Sequence, residues 1–288
     1  MFGITRKEQL AEGIYRISFA APHIARKRKA GQFVLVIPRE GGERIPLTIV
    51  DSDPSAGTVD LVFQVVGAST AELACLEPGD SMPHVAGPLG SPTEIRNVGH
   101  VVVIGGGVGL AAALPIAVAI KRAGNRLTSI VGGRSRQFVI LEKEFRATSD
   151  NTIVTTDDGS YGKKGFVTDA LRELLASGET INEVVAVGPL PMMRAVAETT
   201  RPSGIKTVVS LNPIMVDGTG MCGGCRVTVG GKVFFACVDG PEFDGHKVDF
   251  KELADRLSAY KEMERESYER LKAQHACKLD SVAPKKGS

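Results

Sequence analysis

The chain has 288 residues, 43% of them apolar and 24% charged, enough to bury a core in each of two domains and too apolar for a wholly disordered chain. Lys and Arg number 35 against 33 Asp and Glu, a net charge of +2 that excludes a general basic field for nucleic acid. Five cysteines at this length exclude a disulfide-stapled mini-protein.

In chain order, residues 13–19 alternate apolar and polar, the period of a half-buried strand. Further strands are expected at 33–37, 46–50 and 58–66, each closed by Pro, Asp or Gly, with a short helix over 70–76. Short strands at this spacing predict an antiparallel barrel. Residues 101–120 are uncharged and match a membrane span in length. Gly105, Gly106, Gly107 and Gly109 divide them, however, so a buried strand, a glycine turn and a helix to about 123 are expected instead. The N-terminal stretch carries no secretory-type apolar run. A cytoplasmic protein with no membrane segment is the expectation.

Strands at 126–132, 151–155, 183–187 and 206–210 then alternate with helices at 139–146, 167–176 and 191–200, which predicts a parallel sheet covered by helices. Residues 211–249 are Gly-rich and hold three cysteines. A single charged helix is expected over 251–274, with Leu253, Leu257, Tyr260, Met263 and Leu271 at near-helical spacing, and a frayed end at 284–288. The fold class is therefore α/β plus β, divided at 1–97 (barrel), 98–210 (nucleotide-type α/β), 211–250 (cysteine subdomain) and 251–288 (helix and tail).

Asp217, Cys222, Cys225 and Cys237 are spaced D-x4-C-x2-C-x11-C. A plant-type ferredoxin has C-x4-C-x2-C and a distant fourth Cys. With Asp in the first place, a 2Fe–2S cluster on three thiolates and one carboxylate is open. Zinc on Cys222, Cys225, Cys237 and His246, or three unligated thiols, are the other readings. Cys75 and Cys277 stand alone, a buried small hydrophobe or a tail thiol.

Gly107-Val108-Gly109-x-x-Ala112, after a strand and opening a helix, fits the loose dinucleotide turn begun at Gly105. The acidic ribose contact about 20 residues on is missing. Arg134 and Arg136 follow the next strand and suit a phosphate. In the barrel, Arg44, Pro46 and Thr48 are expected on one strand face beside Leu47, a guanidinium and a hydroxyl together. Gly67 precedes Ser69-Thr70-Ala71-Glu72, an S-x-x-E capping-box pattern. Asp157-Asp158-Gly159-Ser160 follows a strand end as a positioning turn.

Taken in order, Arg44-x-Pro46-Leu47-Thr48, Gly67-Ala68-Ser69-Thr70, the Gly105–Gly109 turn and Gly188-Pro189-Leu190-Pro191-Met192-Met193 resemble the ferredoxin–NADP reductase superfamily. The appended cysteine segment is similar to that of electron-transfer subunits of class B dihydroorotate dehydrogenase and, in its Asp217 version, to small subunits of the NADH-dependent reduced ferredoxin:NADP oxidoreductase type (sulfide dehydrogenase beta subunit type). The resemblance spans residues 1 to about 275. It implies FAD on the first two motifs, NAD(P)H on the last two, and a 2Fe–2S cluster on Asp217, Cys222, Cys225 and Cys237. It implies a flavin that takes a hydride and passes electrons singly to the cluster. It also implies a larger FAD and 4Fe–4S partner subunit related to the glutamate synthase small chain, with ferredoxin served indirectly. Dihydroorotate dehydrogenase relatives carry Cys where this chain has Asp217, which weighs against that branch. A self-sufficient ferredoxin or oxygenase reductase is a further alternative. Arg134 and Arg136 suit NADP, whereas the bifurcating relatives use NAD(H) here, so the expectation is NAD(P)H with a lean to NADH. The helix over 251–274 is a candidate docking element for the partner, or a cover for its own domain.

Overall fold

The computed structural model describes residues 1–279 and side chains through 273; the Cys277 side chain and the end at 284–288 lie outside the described residues. The N-terminal sheet comprises β1 (Phe2–Ala11), β2 (Ile14–Ala20), β3 (Phe33–Ile37), β4 (Ile45–Asp53), β5 (Thr58–Gln64), β6 (Ser81–Met82) and β7 (His84–Leu89). Helices α1 (Pro22–Lys27) and α2 (Ala68–Ala74) lie among them in sequence. The order β6-β1-β2-β5-β4-β3-β7 is antiparallel throughout, the barrel-type sheet the turn spacing predicts. Ile17, Phe19, Ile49 and Leu61 are fully buried in its core. Each such side chain contributes roughly 1.5–3 kcal/mol by leaving water. The sequence reading omits β1 because only Ile4 of that strand is fully buried, so no apolar alternation marks it.

The second sheet comprises β8 (His100–Gly106), β9 (Arg126–Gly133), β10 (Asn151–Thr156), β11 (Lys163–Lys164), β12 (Glu183–Val187) and β13 (Lys206–Ser210). Helices α3 (Gly109–Arg122), α4 (Glu142–Thr148), α5 (Val167–Ala176) and α6 (Leu190–Thr200) connect them. The order β11-β10-β9-β8-β12-β13 is parallel. Every residue of β8 is buried. Val101 and Val103 pack with Leu110 and Ala117 of α3, while Val102 and Ile104 pack with Leu171 of α5 and Val196 of α6. A strand covered on both faces reads as a continuous apolar run. Residues 101–120 thus form strand, turn and helix, and among the described residues no helix is long and apolar enough to cross a membrane.

The cysteine segment adds the hairpin β14 (Arg226–Val229) and β15 (Lys232–Phe235), then β16 (Glu242–Asp244). Strand β16 pairs antiparallel with β13 and extends the second sheet. The single C-terminal helix expected over 251–274 is corrected: α7 (Phe250–Ser258) stops and α8 (Lys261–Leu279) starts anew. The apolar positions there serve two cores. Leu253 is buried with Cys225 and Cys237, Leu271 with the barrel, while Tyr260 and Met263 between them stay exposed. Asp249 caps α7, its carboxylate accepting from the Glu252 amide at 2.9 Å.

Candidate functional site: a cleft from the barrel to the cysteine loop

One cleft of about 1550 Å³ is lined by Arg44, Gly67, Ser69 and Thr70 from the barrel and by Asp217, Cys222 and Gly224 from the cysteine segment. Two motif groups about 150 residues apart in sequence therefore share a cavity. Arg44 is exposed and stands just before β4, because the chain turns at 39–42 (Gly42 amide to Arg39 carbonyl, 2.9 Å) and enters the strand only at Ile45. The expected single face of Arg44, Pro46 and Thr48 is corrected accordingly. Pro46, Leu47 and Thr48 pair with Leu35, Val34 and Phe33 on β3, half-buried and outside the cleft lining.

The capping box is also corrected. The N-cap of α2 is Gly67, not Ser69, and the Thr70 hydroxyl accepts from the amides of Val66 (3.0 Å) and Gly67 (3.1 Å). Ser69, released from capping, donates to Glu43 at 3.2 Å, and Glu72 pairs with Arg39 at 2.5 Å. Thr70 shapes the turn, and Arg44 lines the same cleft from the loop before β4.

In the cysteine loop, Asp217 accepts from the Thr219 amide at 2.9 Å and the Cys222 amide at 2.7 Å. These donors, Thr219 foremost, hold its carboxyl below the usual range, so it is an anion. The Gly224 amide donates to Cys222 Sγ and the Cys237 amide to Cys225 Sγ, each at 3.4 Å. Such turns need a left-handed backbone, supplied by Gly218, Gly220 and Gly223 at φ 75°, 81° and 66°. Cys222 is exposed; Cys225 and Cys237 are buried. Burial and the neighbouring Cys225 push the Cys237 thiol up to about 12. Two buried sulfurs beside an exposed one, with amides directed at two of them and an anion on the same loop, fit an iron–sulfur group: iron supplies the charge that turns the thiols into thiolates. His246 is taken elsewhere, its Nε2 2.9 Å from Thr200 Oγ1. Among the described residues no three His, Cys, Asp or Glu side chains are gathered to hold a single metal ion, neither the Cys3His zinc set nor Asp217 with the three cysteines. Sequence reasoning misses Arg256 of α7, which donates to the Gly224 carbonyl at 3.0 Å and pins the loop from outside. No motif marks an arginine on a helix.

The remaining candidates gather at the carboxyl ends of the parallel strands. Gly105 pairs with Val187 and Gly106 with Gly132. A β-carbon on Gly109 would lie 2.5 Å from the Val187 carbonyl and one on Gly188 2.7 Å from Met192, so the Gly105–Gly109 and Gly188–Met192 turns touch. Pro189 is the N-cap of α6. Gly107 has φ +56°, with open space where its β-carbon would be. Val108 caps α3 through no side chain. Order reverses here: the chain goes from β8 outward to β10, then returns to β12 on the other side of β8, a topological switch point. Asp157 and Asp158 follow β10 and are tied to the end of β9, their amides donating to the Gly133 and Arg134 carbonyls at 3.1 and 3.2 Å. Burial and the neighbouring Asp158 raise the Asp157 carboxyl. Arg134 and Arg136 rest on the rings of Phe138 and Tyr161, at 4.7 and 5.2 Å. None of these residues lines the barrel cleft.

Comparison with known proteins decides the family. A Thermotoga maritima protein, a homolog of the electron transfer subunit of dihydroorotate dehydrogenase B (NAD(+)), is 48% identical over 93% of this chain and 94% of its own length. The chain belongs to the family of dihydroorotate dehydrogenase B electron-transfer subunits and their homologs. Residues 212–249 match the model of the iron-sulfur cluster binding domain of dihydroorotate dehydrogenase B, which covers the cysteine loop. A family relative from Clostridium beijerinckii, encoded in the adh 3' region, is 44% identical over 91% of both chains. Among solved structures, a chain of the NADH-dependent reduced ferredoxin-NADP oxidoreductase, studied for flavin-based electron bifurcation, superposes with TM-score 0.89 at 47% identity over 94% of this chain and 97% of that one. The Amycolatopsis cytochrome P450 reductase GcoB shares the fold at 21% identity and TM-score 0.57, over 71% of this chain and 66% of its own. This family member is thus an oxidoreductase electron-transfer subunit on a ferredoxin-reductase fold.

Proposed function

We propose that the chain is the NAD(P)H-side subunit of a heteromeric reductase, carrying FAD in the barrel cleft and a 2Fe–2S cluster on Asp217, Cys222, Cys225 and Cys237. The observation that carries this reading is the shared cleft: Arg44 and the Gly67–Thr70 turn open onto the same cavity as Asp217 and Cys222. When bound, the flavin converts a two-electron hydride into single electrons that a cluster can accept.

The residues have separate tasks. Arg44 offers a guanidinium to a pyrophosphate, a charge-assisted contact. Gly67, Ser69 and Thr70 shape the turn beside it, and Pro46, Leu47 and Thr48, paired in register with β3, anchor the strand that Arg44 immediately precedes. Asp217 supplies an oxygen ligand already anionic, and the Gly224 and Cys237 amides lower the charge on the sulfurs they face. Gly105, Gly107, Val108 and Gly109 let the backbone approach a nicotinamide dinucleotide at the start of α3. Gly188, Pro189 and Met192 form the facing wall, and Arg134, Arg136 and Asp157 flank the ribose side. NADH is the favoured dinucleotide, in keeping with the NADH-dependent ferredoxin-NADP oxidoreductase chain that this one resembles; Arg134 and Arg136 stack on aromatic rings with their N–H edges left free.

The partner is a larger FAD and 4Fe–4S subunit related to the glutamate synthase small chain, which serves ferredoxin; the setting is cytoplasmic. Supporting this reading are the 47% identity to the ferredoxin–NADP oxidoreductase chain and Asp217 in place of a first Cys. The test is purification from native extract. Flavin, iron and sulfide in the pure chain, bleaching by NADH, and a co-purifying large flavoprotein are expected. A colourless chain that NADH leaves unchanged overturns the proposal.

A further inference from the structure

We infer that one stripe of the C-terminal helix α8 is the second wall of the flavin cleft and grips the adenosine half of the dinucleotide. Met263, Ser267 and Arg270 of α8 line the cleft at spacings of four and three residues, which places them on one helical face, and Tyr260, whose carbonyl accepts from the Glu264 amide at 2.9 Å just before the helix, lines it too. Neighbouring positions on α8 do something else: Tyr268 and Leu271 pack into the barrel core. The helix is therefore anchored by one stripe while the adjacent stripe is held toward the cavity. Tyr260 and Met263 leave 52% and 64% of their surface exposed where they line the cleft.

The direction of the occupant follows from the two ends. At one end α7 is tied to the cysteine loop by the Arg256 bond to the Gly224 carbonyl, 3.0 Å. At the other, α8 reaches α2, since Leu271 and Tyr268 share a cluster with Ala71, Leu73 and Ala74. A redox ring serves the cluster only from the cysteine end. Arg44 and the Gly67–Thr70 turn stand on the barrel side, where the pyrophosphate is proposed. The remaining half of the molecule then runs along α8 away from the cysteine end, with its adenine and ribose against Met263, Ser267 and Arg270. Arg270 supplies a cation on this wall, while Arg226 and Arg256 line the cleft among the residues of the cysteine segment and α7. The Arg270 Nε is 3.4 Å from the Glu266 carbonyl. The carboxylates on this lining are Glu40, Glu43, Asp217 and Glu264; Glu43 already accepts from Ser69, and Asp217 from the Thr219 and Cys222 amides.

The inference rests on the flavin reading of the cleft, and the experiment separates the two. Apo-protein is titrated with FAD and with FMN, which keeps the ring and one phosphate but lacks the AMP half, following flavin fluorescence. Arg270→Glu and Met263→Asp change surface positions, and a thermal unfolding scan of each apo-variant confirms an unaltered fold. At least tenfold weaker FAD binding with less than twofold change for FMN is expected. Unchanged FAD binding, or equal losses for FAD and FMN, overturns the role of the stripe. Failure of the wild type to bind either flavin overturns the flavin reading itself.

Discussion

Thr93 donates to Glu242 at 2.5 Å, joining the link between the two large sheets to the last strand of the cysteine segment. Gly31 abuts the same pair; a β-carbon there would lie 2.3 Å from the Thr93 hydroxyl and 2.8 Å from the Glu242 carboxylate. Barrel, linker and cysteine segment thus meet at one carboxyl group. Burial pushes its pKa up to about 7 against the opposing hydrogen bond from Thr93.

The sign of the resulting pH dependence is fixed. A carboxyl raised from the usual range to about 7 is protonated in the folded state where the unfolded chain has already lost the proton. Stability therefore falls as pH rises from about 4.5 to about 7 and stays reduced above that. Glu242→Gln removes the penalty. The variant should gain up to about 3 kcal/mol at pH 8 and little at pH 4, measured by urea unfolding at both values. An equal effect at the two pH values would contradict the assignment.

Arg44→Ala should weaken FAD retention by about tenfold or more, because a charge-assisted contact is worth roughly 1.5–3 kcal/mol. Flavin content after gel filtration reads this directly. Arg44 is exposed, so the fold should be unaffected.

Gly107→Ala tests the nucleotide turn. The left-handed backbone at φ +56° disfavours any β-carbon by roughly 1–2 kcal/mol, and the new methyl enters the open space that a dinucleotide would use. Bound FAD should be retained while the apparent affinity for NADH falls at least tenfold in stopped-flow bleaching. Normal saturation by NADH and NADPH would remove the turn from the site.

Asp217→Cys should keep the cluster, with about two irons and two sulfides per chain, since four thiolates are then present. Its EPR signal and potential should differ from wild type, because a carboxylate is a harder ligand than a thiolate. Cys225→Ala should lose the iron, since only two thiolates and one carboxylate remain, while Val227, Ala236 and Leu253 still pack the base of the loop. Identical spectra and potentials for wild type and Asp217→Cys would exclude Asp217 as a ligand.

What the sequence by itself determined was local. The buried run of β8, the glycine turn after it and the alternation of strands with helices are set by side-chain periodicity and by glycine, which act over a few residues. The D-x4-C-x2-C-x11-C spacing likewise names its residues without any fold. What spans distance was decided only by the tertiary structure. Arg44 and Cys222 face one cleft because the chain between them closes a barrel and then a parallel sheet. Ser69 is the obvious cap by motif, yet Gly67 caps α2, because Glu43 from another strand connection takes the Ser69 hydroxyl. Residues 251–274 read as one helix, and only the presence of two separate cores, one for Leu253 and one for Leu271, breaks it into two. Local pattern fixes an element; which surface is left to bury it is a property of the assembled chain.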